Sequence, residues 1–250
     1  MRYAHSLGSM SSSKMNGKLK RPLDYINITL QIIEHILSWP GPEVETAVKM
    51  PYLIVDSCKK VQRVYIVKDN QIVSFSFPFH VYEKTDITGV RSWHIRYRDI
   101  EVSTAVLSKC RGLYSDYEQY GDKKTYSEVA SGQNLKDSDV LQAIKLFEVL
   151  MLTEPAYVRY DYAPREANGQ KHPLFHFDYN FISTHHYKHG LHGRVTLSDL
   201  EDMINKDSDS WYVAKYRESV IDIRLRLKKR FGKKNKTRKK KRRRLTNGQK

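Results

Sequence analysis

Residues 224–250 limit what this chain can fold into more than any other feature of the sequence. They contain 16 Lys or Arg residues and no Asp or Glu. Such a segment has too few apolar side chains to offset the entropy that it would lose on ordering. We therefore expect a polybasic tail over 224–250 whose run from Lys228 to Arg244 is disordered on its own and whose first part could be helical, and a folded domain that ends near residue 223.

The excess charge of the chain is concentrated in this tail. The sequence has 44 Lys or Arg residues and 28 Asp or Glu residues, a formal net charge of +16. The 28 basic residues outside the tail equal the acidic residues in number, so the rest of the chain is formally neutral. This asymmetry predicts a polyanionic partner for the tail rather than a basic folded surface.

Nucleic acid is the partner that we predict for the tail, because Lys and Arg gain affinity for phosphates by releasing condensed counterions. Contacts of this kind supply affinity but little sequence preference, and DNA and RNA fit equally well. The alternatives are a solubilising or localisation segment without a ligand, and a membrane-binding segment, although no apolar anchor adjoins the tail. The predicted binding residues are Lys228, Lys229, Arg230, Lys233, Lys234, Lys236, Arg238, Lys239, Lys240, Lys241, Arg242, Arg243 and Arg244.

Three further features bound the class of protein. Cys58 and Cys110 form neither a disulfide framework nor a metal-ligand spacing, which predicts free thiols in the cytoplasm. No apolar run is long enough for a transmembrane helix, and the N-terminus lacks the apolar core of a signal peptide. Residues 1–20 are mostly polar and predict a disordered leader, in which Met10 or Met15 could be the native start.

Hydrophobic periodicity and capping residues predict helices in four places after residue 20. Apolar residues at helical spacing from Pro22 to Leu37 predict a helix that ends before Pro40. The pair Asp137-Ser138 predicts a cap for a helix over 139–152. Ser198 with Glu201 matches a capping box and predicts another helix, and a last helix is predicted over 211–231, although residues 221–228 also alternate as a strand would.

The strands are predicted from runs of β-branched and aromatic residues, and the polar segment over 112–137 predicts a surface loop. The order of elements predicts one α+β domain over 21–223, with a mostly antiparallel sheet and helices on one face. The predicted strands are 52–55, 61–68, 72–82, 94–100, 156–162 and 174–181, with a hairpin turn at Asp69-Asn70.

A histidine-rich segment contains the residues that suggest chemistry. Six of the ten histidines lie between His172 and His192. Because side chains alternate along a strand, His176 and Asp178 share one face, while Phe175 and Phe177 share the other and are expected in the core.

Pairing of this strand with the preceding one would collect several polar side chains on one wall. Arg159 and Asp161 share a face of the strand predicted over 156–162. His172 would lie at the entrance of the wall, and Arg194 could close it from the next segment. The candidate catalytic residues are therefore Arg159, Asp161, His172, His176, Asp178 and Arg194.

Two chemistries use such a set, and both suit cleavage of a phosphodiester. A divalent metal could bind His176, Asp178 and a further histidine, and activate a water molecule. Without a metal, a histidine could act as acid or base while arginine holds the phosphate. A third interpretation has no chemistry: the residues are polar side chains on an exposed sheet face, followed by a loop that contains His185, His186, His189 and His192.

The order of these residues resembles a known signature. Arg159-Tyr160-Asp161, then His172-Pro173 with His176, then Arg194 are similar to the R-x-D, H-P-x-x-H and R pattern of an uncharacterised bacterial domain-of-unknown-function family. Members of that family often lie on mobile or defence-type loci. The resemblance covers about residues 22–215 and implies that these residues form its polar signature. It implies no activity, and the long basic tail is additional to it.

Three functions are compatible with the sequence. The first is a cytoplasmic nucleic-acid-binding protein, associated with the nucleoid or nucleus if it binds DNA, and acting as a bacterial accessory or defence factor. The second is a phosphodiesterase or nuclease that uses the His/Asp/Arg wall, with or without a divalent metal. The third is a protein-interaction module, antitoxin-like or an assembly factor, whose tail tethers it near a protein partner.

Overall fold

The main sheet of the protein is antiparallel throughout and joins strands that are far apart in the sequence. The computed structural model describes residues 2–7, 19–39, 50–58, 61–120, 125–168, 171–179 and 187–205. The chain divides into two units, residues 1–194 and residues 195–250. The polybasic tail and the helix predicted over 211–231 lie outside the described residues.

Seven strands of the first unit form this sheet, and every neighbouring pair is antiparallel. Asp69 and Asn70 join the third and fourth strands as a two-residue hairpin, as predicted. In spatial order the strands are β1 (Arg2–Ser6), β2 (Tyr52–Ser57), β3 (Gln62–Lys68), β4 (Gln71–Ser76), β8 (Val158–Tyr162), β9 (Phe175–Tyr179) and β10 (Tyr187–Leu191).

A second sheet has three strands, β5 (His80–Thr85), β6 (Arg91–Tyr97) and β7 (Ile100–Glu101). The prediction of a single strand over 72–82 is wrong. The first half of this segment belongs to β4 of the main sheet, and its last residues begin β5 of the second sheet. Pro78 lies in the break between them, where the absence of an N–H group costs no ladder hydrogen bond.

The described residues of the first unit form four helices: α1 (Pro22–Leu37), α2 (Thr104–Tyr120), α3 (Tyr126–Ser131) and α4 (Ser138–Leu152). The predicted helices over 22–37 and 139–152 are confirmed, and the Asp137 carboxylate caps α4 by accepting from the backbone N–H groups of Asp139 and Val140. In the second unit, α5 covers Leu197–Ile204. Its cap is Thr196, paired with Asp199, and not the predicted Ser198.

Three segments that the sequence predicts as irregular are regular. The prediction of a loop over 112–137 is wrong, since α2 and α3 occupy most of this segment. In α2 the buried residues, among them Cys110 and Leu113, are separated by many polar residues, and this hides the helical period. Residues 2–6 of the predicted leader form β1, paired with β2. Residues 187–191 of the predicted histidine loop form β10, paired with β9.

One face of the main sheet and the helices of the first unit share a single apolar core. The register of β2, β3 and β4 places Leu53 with Ile66, and Val55 with Val64 and Phe75, on the same face. All five are buried in one cluster with residues of α1, α2 and α4. The prediction of an α+β fold with helices on one face of an antiparallel sheet is therefore confirmed. Within the described residues, no helix combines the length and the apolar character needed to cross a membrane.

The core allows a test of the packing between helices and sheet. Phe147 of α4 is fully buried, whereas Leu152 of the same helix is 79% exposed. We expect Phe147→Ala to lower the free energy of unfolding by about 3–5 kcal/mol, because it removes a buried ring and leaves a cavity. Leu152→Ala is the control and should change it by less than about 0.5 kcal/mol. Equal effects in urea denaturation would contradict this packing.

Candidate polar site on the main sheet

Charged side chains replace apolar ones on the core-facing side of the sheet where β4 meets β8. The register places Val73 opposite Arg159, Arg159 opposite Asp178, and Asp178 opposite Lys188. Directly opposed residues of neighbouring strands lie on the same face. The row that begins with the apolar residues of β2 and β3 therefore continues as three charged residues across β8, β9 and β10.

A second row lies beside the first. Gln71 is opposite Asp161, Asp161 is opposite His176, and His176 is opposite Gly190. A Cβ atom at Gly190 would lie 2.9 Å from Cγ of Pro173, so the close approach of β10 to this proline requires glycine. We call Arg159, Asp161, His176, Asp178 and Lys188 the polar network.

The polar network is buried. His176 and Asp178 have no exposed surface, and the side chains of Arg159, Asp161 and Lys188 are 13%, 15% and 25% exposed. The predicted pairing of the two strands is confirmed, and so is the placement of the four predicted wall residues on one face. The interpretation of these residues as an exposed polar face is wrong.

Ion pairs neutralise the charges of the network. Nε of Arg159 donates to Oδ2 of Asp161 over 2.8 Å, and Nη2 of Arg159 donates to Asp178. Nζ of Lys188 lies 3.1 Å from Oδ1 of Asp178. Two cations therefore face two carboxylates, as burial demands, since an unpaired buried charge is strongly destabilising. Nε2 of Gln71 also donates to Asp161 over 2.8 Å.

His176 is held in one orientation by its two ring nitrogens. Nδ1 lies 2.9 Å from the carbonyl oxygen of Pro173, which makes Nδ1 the donor and leaves Nε2 as an acceptor. Nζ of Lys188 lies 2.9 Å from this Nε2. Burial and the nearby charge of Lys188 lower the pKa of His176, so that the ring is neutral at pH 7.

Tyr157 extends the network on the β8 side. Burial raises the pKa of Tyr157 to about 12, so its phenol stays protonated at neutral pH. Burial acts to lower the pKa of Arg159, but Tyr157 and the two carboxylates outweigh it and raise this pKa above its ordinary value. Arg159 is therefore a permanent cation within the network.

A cleft of about 730 Å³ opens beside the network, and Arg159 and Asp161 form part of its wall. Burial lowers the pKa of Lys68, another wall residue. Apolar residues line the cleft as well as polar ones, among them Leu19, Ile28, Ile66 and Val73. The cleft could therefore admit a ligand with both an apolar and a polar part.

Two predicted site residues lie outside the hydrogen bonds of the network. The ring of His172 packs edge to face on His176, with centroids 4.8 Å apart, and its Nε2 is 3.5 Å from Glu166. Arg194 does not close the wall: its Nη2 donates to the carbonyl oxygen of Asp69 over 2.9 Å, and its guanidinium lies 5.8 Å from the Tyr162 ring centroid.

Lys188 is the most central network residue that the sequence patterns did not indicate. It is the only lysine between His172 and His192, but its role depends on β10, which we predicted as a loop. Tyr157 and Gln71 were also missed. Tyr157 lies within a predicted strand, and Gln71 lies at a hairpin whose partner strand is nearly ninety positions away in the sequence.

Asp161, His176 and Asp178 offer the atoms that a divalent metal would need. One ligand atom from each lies within 4.8 Å of the others. Imidazole with two carboxylates suits zinc, manganese or iron. The ammonium group of Lys188 is within hydrogen-bond distance of two of the three, so a metal would have to displace it.

Comparisons with protein-family models, curated proteins and solved structures find no match to this chain. The resemblance to the bacterial domain-of-unknown-function family therefore stays a prediction.

The lowered pKa of His176 predicts a dependence of stability on pH. Below about pH 6.5 the histidine of the unfolded chain binds a proton that His176 in the folded protein does not bind. The free energy of unfolding therefore decreases as the pH is lowered, until the pH reaches the pKa of His176 in the folded protein. In His176→Gln this contribution is absent. The slope of the free energy of unfolding against pH, between about pH 7 and 5, should therefore be shallower than in the wild type. The pKa of His35 is also lowered, so the free energy of unfolding of His176→Gln should still depend on pH in this range.

The exposed His192 provides the control for this measurement, because His192→Gln should keep the wild-type slope. Chemical denaturation at several pH values gives the slopes. Identical slopes for the wild type and His176→Gln would show that His176 is not held neutral in the folded protein.

Proposed function

We propose that this protein binds nucleic acid and that its polybasic tail is the main source of affinity. The observation that carries the proposal is the charge of residues 224–250, which contain 16 basic residues and no acidic ones. The polar network supports the same assignment, because its two cations are already paired with two carboxylates and leave little net charge to attract phosphate.

Binding through such a tail would follow the backbone rather than the bases. Each phosphate that a Lys or Arg neutralises releases counterions, which gives strong binding at low salt and weak binding at high salt. We expect little sequence preference and fast association. A cytoplasmic location, with association to DNA or RNA there, belongs to the same proposal.

Replacing the tail charges in the full-length chain tests this proposal. We expect that exchange of the thirteen Lys and Arg residues between 228 and 244 for Gln abolishes most binding to labelled single- and double-stranded DNA and RNA. If the tail neutralises roughly six to ten phosphates, the wild-type affinity falls by about 10³–10⁵ between 50 and 200 mM salt. Fluorescence anisotropy over a salt series gives both quantities.

A charge-preserving tail provides the matched control. Exchange of Arg230, Arg238, Arg242, Arg243 and Arg244 for Lys keeps the charge and should leave the salt slope unchanged. Wild-type protein that does not bind at moderate salt, or a neutral tail that binds as well as the wild type, would disprove the proposal.

A second candidate function is hydrolysis of a phosphodiester at the polar network. The observation that favours it is the position of Arg159 and Asp161 in the wall of the cleft. His176 would act as the base, or would bind a metal together with Asp161 and Asp178. In either case Lys188 must first leave Nε2 of His176, and its ammonium could then pair with the phosphate.

For this second candidate, His176→Ala and Asp161→Asn should abolish cleavage and leave nucleic-acid binding intact. Glu166→Gln is the control, because Glu166 lines the same cleft but its side chain is 74% exposed and outside the network. Cleavage of labelled DNA and RNA is measured with and without Mn²⁺, and far-ultraviolet circular dichroism checks that each variant is folded. Intact substrate in every wild-type sample would exclude this candidate for the substrates used.

A further inference from the structure

The sheet of β5, β6 and β7 has one face in the core and one face in solvent. Val81, Trp93, Ile95 and Ile100 are buried in the core cluster. The opposite face carries residues that alternate with them, and it contains three rings and several charged side chains. The register places His80 opposite Arg96, Tyr82 opposite His94, and Lys84 opposite Ser92.

The three rings on the outer face are stacked in a row. The rings of His80 and Tyr82 have centroids 5.6 Å apart and an interplanar angle of 17°. Tyr82 and His94 also have centroids 5.6 Å apart, with an interplanar angle of 29°. His80 is exposed, and Tyr82 and His94 are half-buried. Aromatic side chains on a sheet surface are groups on which unpaired nucleobases can stack.

Two cations flank the central ring. Nζ of Lys84 lies 5.2 Å from the centroid of the Tyr82 ring, and the guanidinium of Arg96 lies 5.7 Å from it. Both side chains are on strands that carry the rings, and both residues are exposed. Lys84 also pairs with Glu101, since its Nζ lies 3.7 Å from Oε1. We therefore expect the guanidinium of Arg96 to be the cation that contacts the phosphate of a bound nucleotide or stacks on its base.

Glu101 of β7 fixes the orientation of two of the rings. The hydroxyl of Tyr82 donates to Oε1 of Glu101 over 2.9 Å, and Nδ1 of His94 lies 3.0 Å from the same atom. Oγ of Ser92 lies 3.1 Å from Nε2 of His94. The rings are thus held in place before any ligand binds, which lowers the entropy that binding would cost.

We propose that His80, Tyr82, His94, Lys84 and Arg96 form a platform that binds single-stranded nucleic acid by stacking its bases. The proposal rests on the proposed nucleic-acid-binding function and assigns it a second element within the folded part of the chain. Bases in a duplex are stacked on one another, so a platform of this kind selects single strands.

Salt separates the platform from the tail in the full-length protein. Phosphate contacts by the tail weaken steeply as salt rises, whereas base stacking does not depend on counterion release. The probe is an oligothymidylate of about ten nucleotides that carries one 5-iodouracil for photocrosslinking, measured at about 50 mM and about 500 mM salt. A duplex of the same length is the competitor.

Four substitutions test the platform. At high salt, His80→Ala, Tyr82→Leu and Arg96→Ala should each weaken binding by roughly five- to one-hundredfold, in line with the loss of one stacking contact. His80→Phe keeps a ring and should retain wild-type affinity. His192→Ala and Lys136→Ala are the controls for the histidine and the cation, since both residues are exposed and lie outside the platform.

Each result is decisive for the platform. The platform is supported if crosslinks form in the peptides of β5 and β6, disappear in His80→Ala and persist in the presence of the duplex competitor. Crosslinks confined to the tail, or platform variants that bind as the controls do, overturn it while the tail-based function stands. If the wild-type protein binds no nucleic acid at low salt, the proposed function fails and the platform fails with it.

Discussion

The pairing of buried charges across β8, β9 and β10 constrains this part of the fold more than any other interaction. Asp178 is fully buried and bonded to Arg159 on one neighbouring strand and to Lys188 on the other. A shift of register by one residue would move Asp178 to the opposite face of the sheet, away from Arg159 and Lys188. Since a buried pair that loses one partner costs about 3–5 kcal/mol, the charges specify one register for all three strands.

The same charge balance separates the functions that we propose. Within the network, cations and carboxylates neutralise one another, so its contribution to the electrostatic field outside is small. In our first proposal the tail attracts the polyanion, because residues 224–250 contain 16 basic residues and no acidic ones. Hydrolysis at the network, our second candidate function, would require a metal ion or a substrate to displace Lys188 from His176.

Sequence patterns predicted what depends on neighbours in the chain and missed what depends on distant partners. The period-2 alternation in residues 156–162 and 174–181 correctly placed Arg159, Asp161, His176 and Asp178 on one face. Lys188 was missed, because glycines and histidines hid β10, which forms only by pairing with β9. The helix α2 was missed because its buried stripe is narrow. The rings of β5 and β6 fell within predicted strands, but alternation does not indicate which face meets solvent.

A tail and a platform on one chain would bind differently from either alone. In our proposals the tail engages phosphates without fixed geometry, whereas the platform needs unstacked bases at a fixed position. Once the tail holds a strand, binding at the platform becomes intramolecular, and its effective concentration is set by the connecting chain rather than by the free ligand. A weak stacking surface can then act at concentrations where it would be empty on its own. The tail would thus determine whether the protein is on nucleic acid, and the platform would determine that single-stranded segments are retained.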